Sequence, residues 1–247
     1  EHPRELIDAI QFHGKNFQSA EYRLTTQVSE RGVYSFCMCP GGFVVPSATD
    51  GDQIVVNGMS SSKRNSKWSN AAIVVEIRPE DIPQEFIKKA VDCPALAGLY
   101  WRAHIEREAK LHGKGQAAPA QRMKDFLSHR KSESLPPTSF TPGIVASRLD
   151  EWLPPHIETR LEKAFGDFNK TMRGFISPDA LLIAVETRTS TPVRILRNKE
   201  TGECISLARL YPAGEGSGYS GGIVSSAMDG EREAALIAEK IIGKHNR

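Results

Sequence analysis

No apolar run in this chain approaches the roughly 20 residues needed to cross a bilayer, and Glu1-His2-Pro3-Arg4 has none of the features of a secretory leader. A cytoplasmic protein without membrane association is therefore expected. The four cysteines, Cys37, Cys39, Cys93 and Cys204, include no Cys-x-x-Cys pair. The seven histidines (His2, His13, His104, His112, His129, His156 and His245) are dispersed among polar residues. Neither a disulfide framework nor a zinc site is expected, and no metal is assigned. An excess of one charge is missing as well: 32 Lys+Arg against 30 Asp+Glu leave a net charge of +2. With no basic stripe, nucleic-acid binding drops out. Also lacking are a G-x-S-x-G elbow, Ser-His-Asp spacing, internal repeats and low-complexity tracts. The chain does not begin with Met, which fits a processed chain or a fragment.

What remains is ordinary globular composition over 247 residues, 39% hydrophobic and 25% charged, enough to bury a sizeable core. Residues 1–20 read as a short helix over 5–10 followed by polar loop. Short β-like runs follow at 22–27, 32–38, 43–45, 53–57 and 71–77, separated by Gly, Pro, Asp and Ser. Between 80 and 173 the apolar period lengthens, predicting helices at 86–91, 95–109, 121–128 and 155–172, the last with proline in its first turn. Strand signals return at 181–186, 193–196 and 204–210, with a hairpin-type turn at 198–202. A final amphipathic helix is predicted over 222–242, with Ile223, Val224, Ala227, Ala234, Ala238, Ile241 and Ile242 available for its buried face and Gly243 as its stop.

The densest signal lies just before that helix: Pro212-Ala213-Gly214-Glu215-Gly216-Ser217-Gly218-Tyr219-Ser220-Gly221-Gly222. Gly216, Gly218 and Gly221 formally satisfy G-x-G-x-x-G, but a dinucleotide-binding unit needs a second parallel strand after its helix. Only 26 residues follow Gly221, fewer than such a unit takes. A stand-alone NAD-binding dehydrogenase is disfavoured accordingly. The five glycines in nine positions instead allow close backbone approach to a ligand. The helix N-terminus offers N–H groups and partial positive charge, so an electron-rich oxygen is the natural guest. Glu215 adds an acceptor for a sugar-type hydroxyl.

Three stretches together resemble one family, the uncharacterised FAD-dependent or NAD(FAD)-utilising dehydrogenases: residues 211–230; Tyr34-Ser35-Phe36-Cys37-Met38-Cys39-Pro40-Gly41-Gly42 with Val55-Val56-Asn57-Gly58-Met59-Ser60; and Glu186-Thr187-Arg188-Thr189-Ser190-Thr191-Pro192-Val193-Arg194. The resemblance implies the C-terminal part of a flavoprotein whose N-terminal Rossmann half is missing here. It implies that Gly214, Glu215, Gly216, Gly218, Tyr219, Gly221, Gly222 and Ile223 close over the ribityl chain and pyrimidine edge of FAD, while NADH or NADPH is a candidate electron donor. This chain alone is expected to be inactive and to bind FAD weakly.

Substrate-site candidates are Cys37, Cys39, Gly41, Gly42, Arg188, Thr189, Ser190 and Arg194. Cys37 and Cys39 would share one face of a strand; their adjacency disfavours a disulfide, and no local basic cluster is visible, so reduced, buried thiols are expected. The arginines could clamp a carboxylate or phosphate.

The expected fold is α+β: a mainly antiparallel β layer (1–78 and 174–220), a helical insertion (79–173) and a long C-terminal helix (221–247). It would be the substrate domain of a two-domain flavoprotein. Runs 71–77 and 181–186 are expected to share one sheet, bringing Gly41, Arg188 and Gly216 to one cleft. The function that follows is a fragment of an FAD-dependent oxidoreductase acting on a small-molecule substrate. The alternative is a non-catalytic nucleotide- or partner-binding module.

Overall fold

A computed structural model describes residues 1–11 and 23–245. The expected loop after the first helix, the start of the first β run at Tyr22, and His13 lie outside the described residues. The chain divides into two compact units, one of Glu1–Asp81 with Arg102–Thr187, the other of Ile82–Trp101 with Arg188–Arg247.

The first unit opens with β1 (His2–Pro3), α1 (Arg4–Gln11), β2 (Thr25–Val28), β3 (Arg31–Cys39), β4 (Phe43–Pro46), β5 (Val56–Met59) and β6 (Trp68–Val75). An antiparallel sheet runs in the order β1-β6-β3-β2, and β4 pairs with β5 in a separate ribbon. Ser29 and Glu30, at φ 48° and 61°, make the two-residue turn between β2 and β3, both positive as a type I′ hairpin requires. Arg31 closes that turn by donating Nε and a terminal N–H to the two oxygens of Asp81, each at 3.0 Å.

The chain next enters the second unit with α2 (Gln84–Lys89) and returns along α3 (Ala97–His112). There follow β7 (Ala118–Arg122), α4 (Met123–Phe126), β8 (Ile144–Ala146), α5 (Leu149–Trp152), α6 (Pro155–Thr171) and β9 (Leu181–Ile183). The expected helix over 121–128 is helical only at Met123–Phe126, its first two residues closing β7, and the insertion is not purely helical. β7 lies between β8, parallel to it, and β9, antiparallel. Ala118, Ala120 and Gln121 are fully buried, and a strand covered on both faces shows no apolar–polar alternation in sequence. The run 181–186 joins this second sheet through β9 rather than pairing with β6, correcting the expectation of one shared layer. The core gathers Phe126, Phe165, Phe168, Phe175 and Leu181, all essentially inaccessible, with Phe168 and Phe175 meeting edge to face at 6.0 Å.

In the second unit α7 (Ile223–His245) is the long helix expected. Runs 193–196 and 204–210 are not strands; a single antiparallel bridge joins Arg197 to Cys204. Ile195, Leu196, Ile205, Leu207 and Leu210 are exposed, so no sheet face holds them. The packed face of α7 is also the reverse of the one expected. Ile223, Val224, Ala227, Ala234, Ala238, Ile241 and Ile242 face solvent, while Asp229 and the buried Glu233 point inward. The cause is Arg197, whose buried guanidinium draws those two carboxylates to it.

Candidate functional site

The glycine loop is held from one side and open on the other. Its centre is a 3-10 turn, Glu215–Ser217, bounded by Gly214 at φ 70° and Gly218 at φ 81°. At Gly218 only glycine fits, because a side chain would need a left-handed backbone and would collide with the Val193 carbonyl. Four anchors fix the loop: the Gly214 N–H donates to Asp229 at 2.9 Å, the Thr191 hydroxyl to the Glu215 carbonyl at 2.9 Å, Arg194 Nε to the Gly218 carbonyl at 2.8 Å, and the Tyr219 hydroxyl to the Ile195 carbonyl at 3.1 Å. Arg197 ties them together: it donates to the Pro212 carbonyl at 2.6 Å and to both Asp229 oxygens at 2.6 and 2.9 Å, and it stacks on the Tyr219 ring at 3.7 Å. The Arg197 hydrogen bonds hold the Asp229 carboxyl down to about 2.

On the open side, a Cβ at Gly216 or Gly221 would meet nothing within 4 Å. Ser226 N–H to the Gly222 carbonyl, 2.9 Å, is the bond that starts α7, so the N–H groups of residues 223–225 precede the intrahelical ladder. Among the cofactor candidates, then, Gly214, Gly218 and Tyr219 build the loop, whereas Gly216, Gly221, Gly222, Ile223 and the half-buried Glu215 present its free surface. Arg194 lends its Nε to the loop. Arg188 and Thr189 are half-buried, and Ser190 is exposed.

Cys37 and Cys39 sit in the first unit at an irregularity of β3, where pairing with β6 shifts between Phe36 and Cys39 and Cys37 takes φ 48°. Such a bulge re-aims side chains, so simple same-face alternation fails here. All four cysteines are free thiols. Cys39 Sγ lies 3.3 Å from the Cys37 carbonyl, and Cys37 Sγ 3.7 Å from the Gly58 carbonyl. Gly58 is obligatory: a Cβ there would come within 2.9 Å of Cys39 Sγ and collide with the Asn70 amide oxygen. Gly41, at φ 59°, leaves no room for a Cβ against the Arg64 carbonyl, and its N–H donates to Ser69 Oγ at 3.1 Å. Ser66 Oγ donates to the Gly42 carbonyl at 2.6 Å.

The electrostatics of this corner are not those of inert buried thiols. A hydrogen bond from Cys37, helped by the Ser60 hydroxyl and Arg64, lowers Cys39 to about 7 in spite of burial and Glu186. The same Cys39 bond, with burial, pushes the Cys37 thiol up. Burial first, then Cys37, raises the Glu186 carboxyl to about 7. A thiol and a carboxyl are thus brought near neutrality from opposite directions, which suits each to hold or release a proton. Sequence reasoning found no cation for the thiols and gave Glu186 no role. The available signal was its place at the end of the apolar run 181–185.

The family comparison points to a flavoprotein-related domain. A family profile described as "FAD-dependent protein, C-terminal domain-like" matches residues 1–189, and the chain belongs to that family. The thiol corner lies inside the matched residues and the glycine loop beyond them. A relative from Clostridium beijerinckii, described as "Uncharacterized protein", is 41% identical over 249 residues, covering 97% of this chain and 45% of the relative. The chain therefore spans less than half the length of that protein.

Proposed function

We propose that the chain forms the substrate side and the flavin-capping loop of an FAD-dependent oxidoreductase. The observation that carries this reading is the free surface at Gly216 and Gly221, where the backbone stands open next to the start of α7. Such a surface fits the edge of a flat, electron-rich ring system, since the N–H groups at the head of a 23-residue helix favour a polarised carbonyl oxygen. Glu215 would accept from a ribityl hydroxyl. The pyrophosphate part of the cofactor would be held by the dinucleotide-binding half of a longer protein.

Bound FAD would supply hydride transfer between substrate and flavin. The chain's own residues supply position and protons. Gly41 and Gly42 present backbone to a small substrate. In the second unit, Arg188, Thr189 and Ser190 carry donors suited to anionic or carbonyl groups. Cys39 and Glu186 hold a proton near neutral pH, with Cys37 donating to Cys39 and Arg64 balancing the thiolate. Whether NADH or NADPH serves as donor is read from anaerobic bleaching of the flavin by each.

The test is a pair of glycine substitutions in the longer protein. Gly216→Val and Gly221→Val meet no neighbouring atoms, so both variants should keep the parent melting temperature yet lose FAD at least tenfold. Unchanged FAD content would remove the loop from the cofactor site. The non-catalytic binding-module reading draws on the exposed apolar face of α7, Ile223, Val224, Met228, Ile241 and Ile242, and predicts a colourless longer protein. The isolated chain, lacking the other wall, should show no submicromolar affinity for FAD.

A further inference from the structure

α6 places Glu158 and Glu162 one turn apart on the same face. His129 reaches them from the turn after α4, where its backbone adopts φ 48° and its N–H donates to the Phe126 carbonyl at 3.1 Å. The ligating atoms of the three side chains lie within 4.8 Å of one another. His129 Nε2 is 2.9 Å from Glu162 Oε1. Glu158 is more than nine-tenths buried; its Oε2 accepts from the Thr159 hydroxyl at 3.1 Å, while Oε1 is buried without a hydrogen-bond partner.

A buried carboxylate oxygen with no donor, beside a second carboxylate, is costly unless a proton or a cation sits between them. Behind His129 stands Asp150, its side chain 1% exposed and its Oδ2 3.4 Å from Nδ1. Arg148 Nε at 2.9 Å and Gln121 Nε2 at 2.8 Å both donate to Oδ1 of that carboxylate. These bonds fix the Asp150 carboxylate in place behind the imidazole. A carboxylate facing Nδ1 favours a proton on that nitrogen and leaves the Nε2 lone pair toward the cluster. This is the carboxylate–imidazole–metal arrangement that orients a histidine ligand.

We propose that His129 Nε2, Glu158 and Glu162 form a binding site for one divalent transition-metal ion of the zinc class, with Asp150 as the positioning carboxylate. One nitrogen and two carboxylate oxygens suit borderline ions better than magnesium. Ligands at about 2.0–2.2 Å from a tetrahedral ion stand about 3.4 Å apart, between the closest pair here and the widest. The ion replaces the direct His129–Glu162 contact and gives Glu158 Oε1 its missing partner. More than half of the His129 side chain is exposed, leaving remaining positions to water. The sequence expectation of no metal arose because His129 is remote in sequence from the two glutamates.

The site is tested on the purified protein, stripped with a chelator and titrated calorimetrically with zinc, manganese or magnesium chloride, with cobalt(II) absorption as the donor-atom readout. One zinc per chain with low-micromolar or tighter affinity is expected, with magnesium showing no heat. His129→Ala and Glu158→Gln should each weaken zinc by about 100-fold, and Asp150→Asn by about 10-fold. Glu158→Gln relieves carboxylate crowding, so its metal-free melting temperature should not fall, separating lost ligation from lost fold. Cobalt should give visible bands without a thiolate charge-transfer band. No zinc binding, affinity unchanged by these substitutions, or a cobalt spectrum dominated by thiolate ligation at the cysteines would overturn the assignment.

Discussion

Replacing Arg197 by methionine keeps much of the side chain's length and removes only the charge that organises the second unit. The guanidinium is 5% exposed and lies between Asp229, at 2.6 Å, and Glu233, at 3.2 Å. Its loss strands two inward-facing carboxylates and frees the Pro212 carbonyl. Breaking a buried ion pair from one side costs about 3–5 kcal/mol. At 1.36 kcal/mol per decade, the lower figure corresponds to roughly a 150-fold more frequent local opening. Native-state hydrogen exchange reads this directly at the Arg197, Gly214 and Gly218 amides, each of which donates to an anchor. Arg194→Met is the control: that exposed side chain offers one bond to Gly218 and a cation–π contact to Tyr219 at 5.1 Å, about 1 kcal/mol or less. Because Asp229 is depressed to about 2 from 3.8, its ionised form is favoured by folding. The contribution is complete above pH 3.8 and disappears as pH falls through 2. The difference between the two variants should thus persist at pH 5 and shrink below pH 3. Equal protection in both, or less than a fivefold change in Arg197→Met, would refute the reasoning.

Two further outcomes concern the thiol corner. Thiolate absorbance in the ultraviolet should titrate near pH 7 and disappear in Cys39→Ser, whereas Cys37→Ala should move that titration upward by removing the stabilising hydrogen bond. Gly41→Ala should cost about 2 kcal/mol or more in denaturant unfolding, combining a left-handed backbone with collision against the Arg64 carbonyl; a neutral result would mean that this turn can rearrange freely.

The sequence carried the parts of the fold that have strong periods or compulsory backbone chemistry. α6 was legible from Pro155 and its apolar spacing, β3 and β6 from their β-branched and aromatic content, and the loop before α7 from its glycines. β7 was not, because Ala118-Pro119-Ala120 has weak strand propensity and owes its conformation to pairing on both sides. The orientation of α7 was misread for a related reason. Its apolar residues suggest one face, but Arg197, thirty-odd positions upstream, turns Asp229 and Glu233 inward. At the site, Gly41, Gly42 and the cysteines could be singled out by motif. Arg64 and Glu186 could not, since their influence on Cys39 depends on burial and on a bulge that only the folded chain supplies.

The proposal that residues 214–223 cap a flavin is tested most directly by hydrogen exchange on the longer protein, FAD-loaded against FAD-stripped. Strong protection of the Gly216, Gly221, Gly222 and Ile223 amides on loading is expected, with little change at Gly214, whose N–H is already bound to Asp229. A loaded protein in which the Gly216–Ile223 amides exchange as fast as in the stripped one would contradict the account.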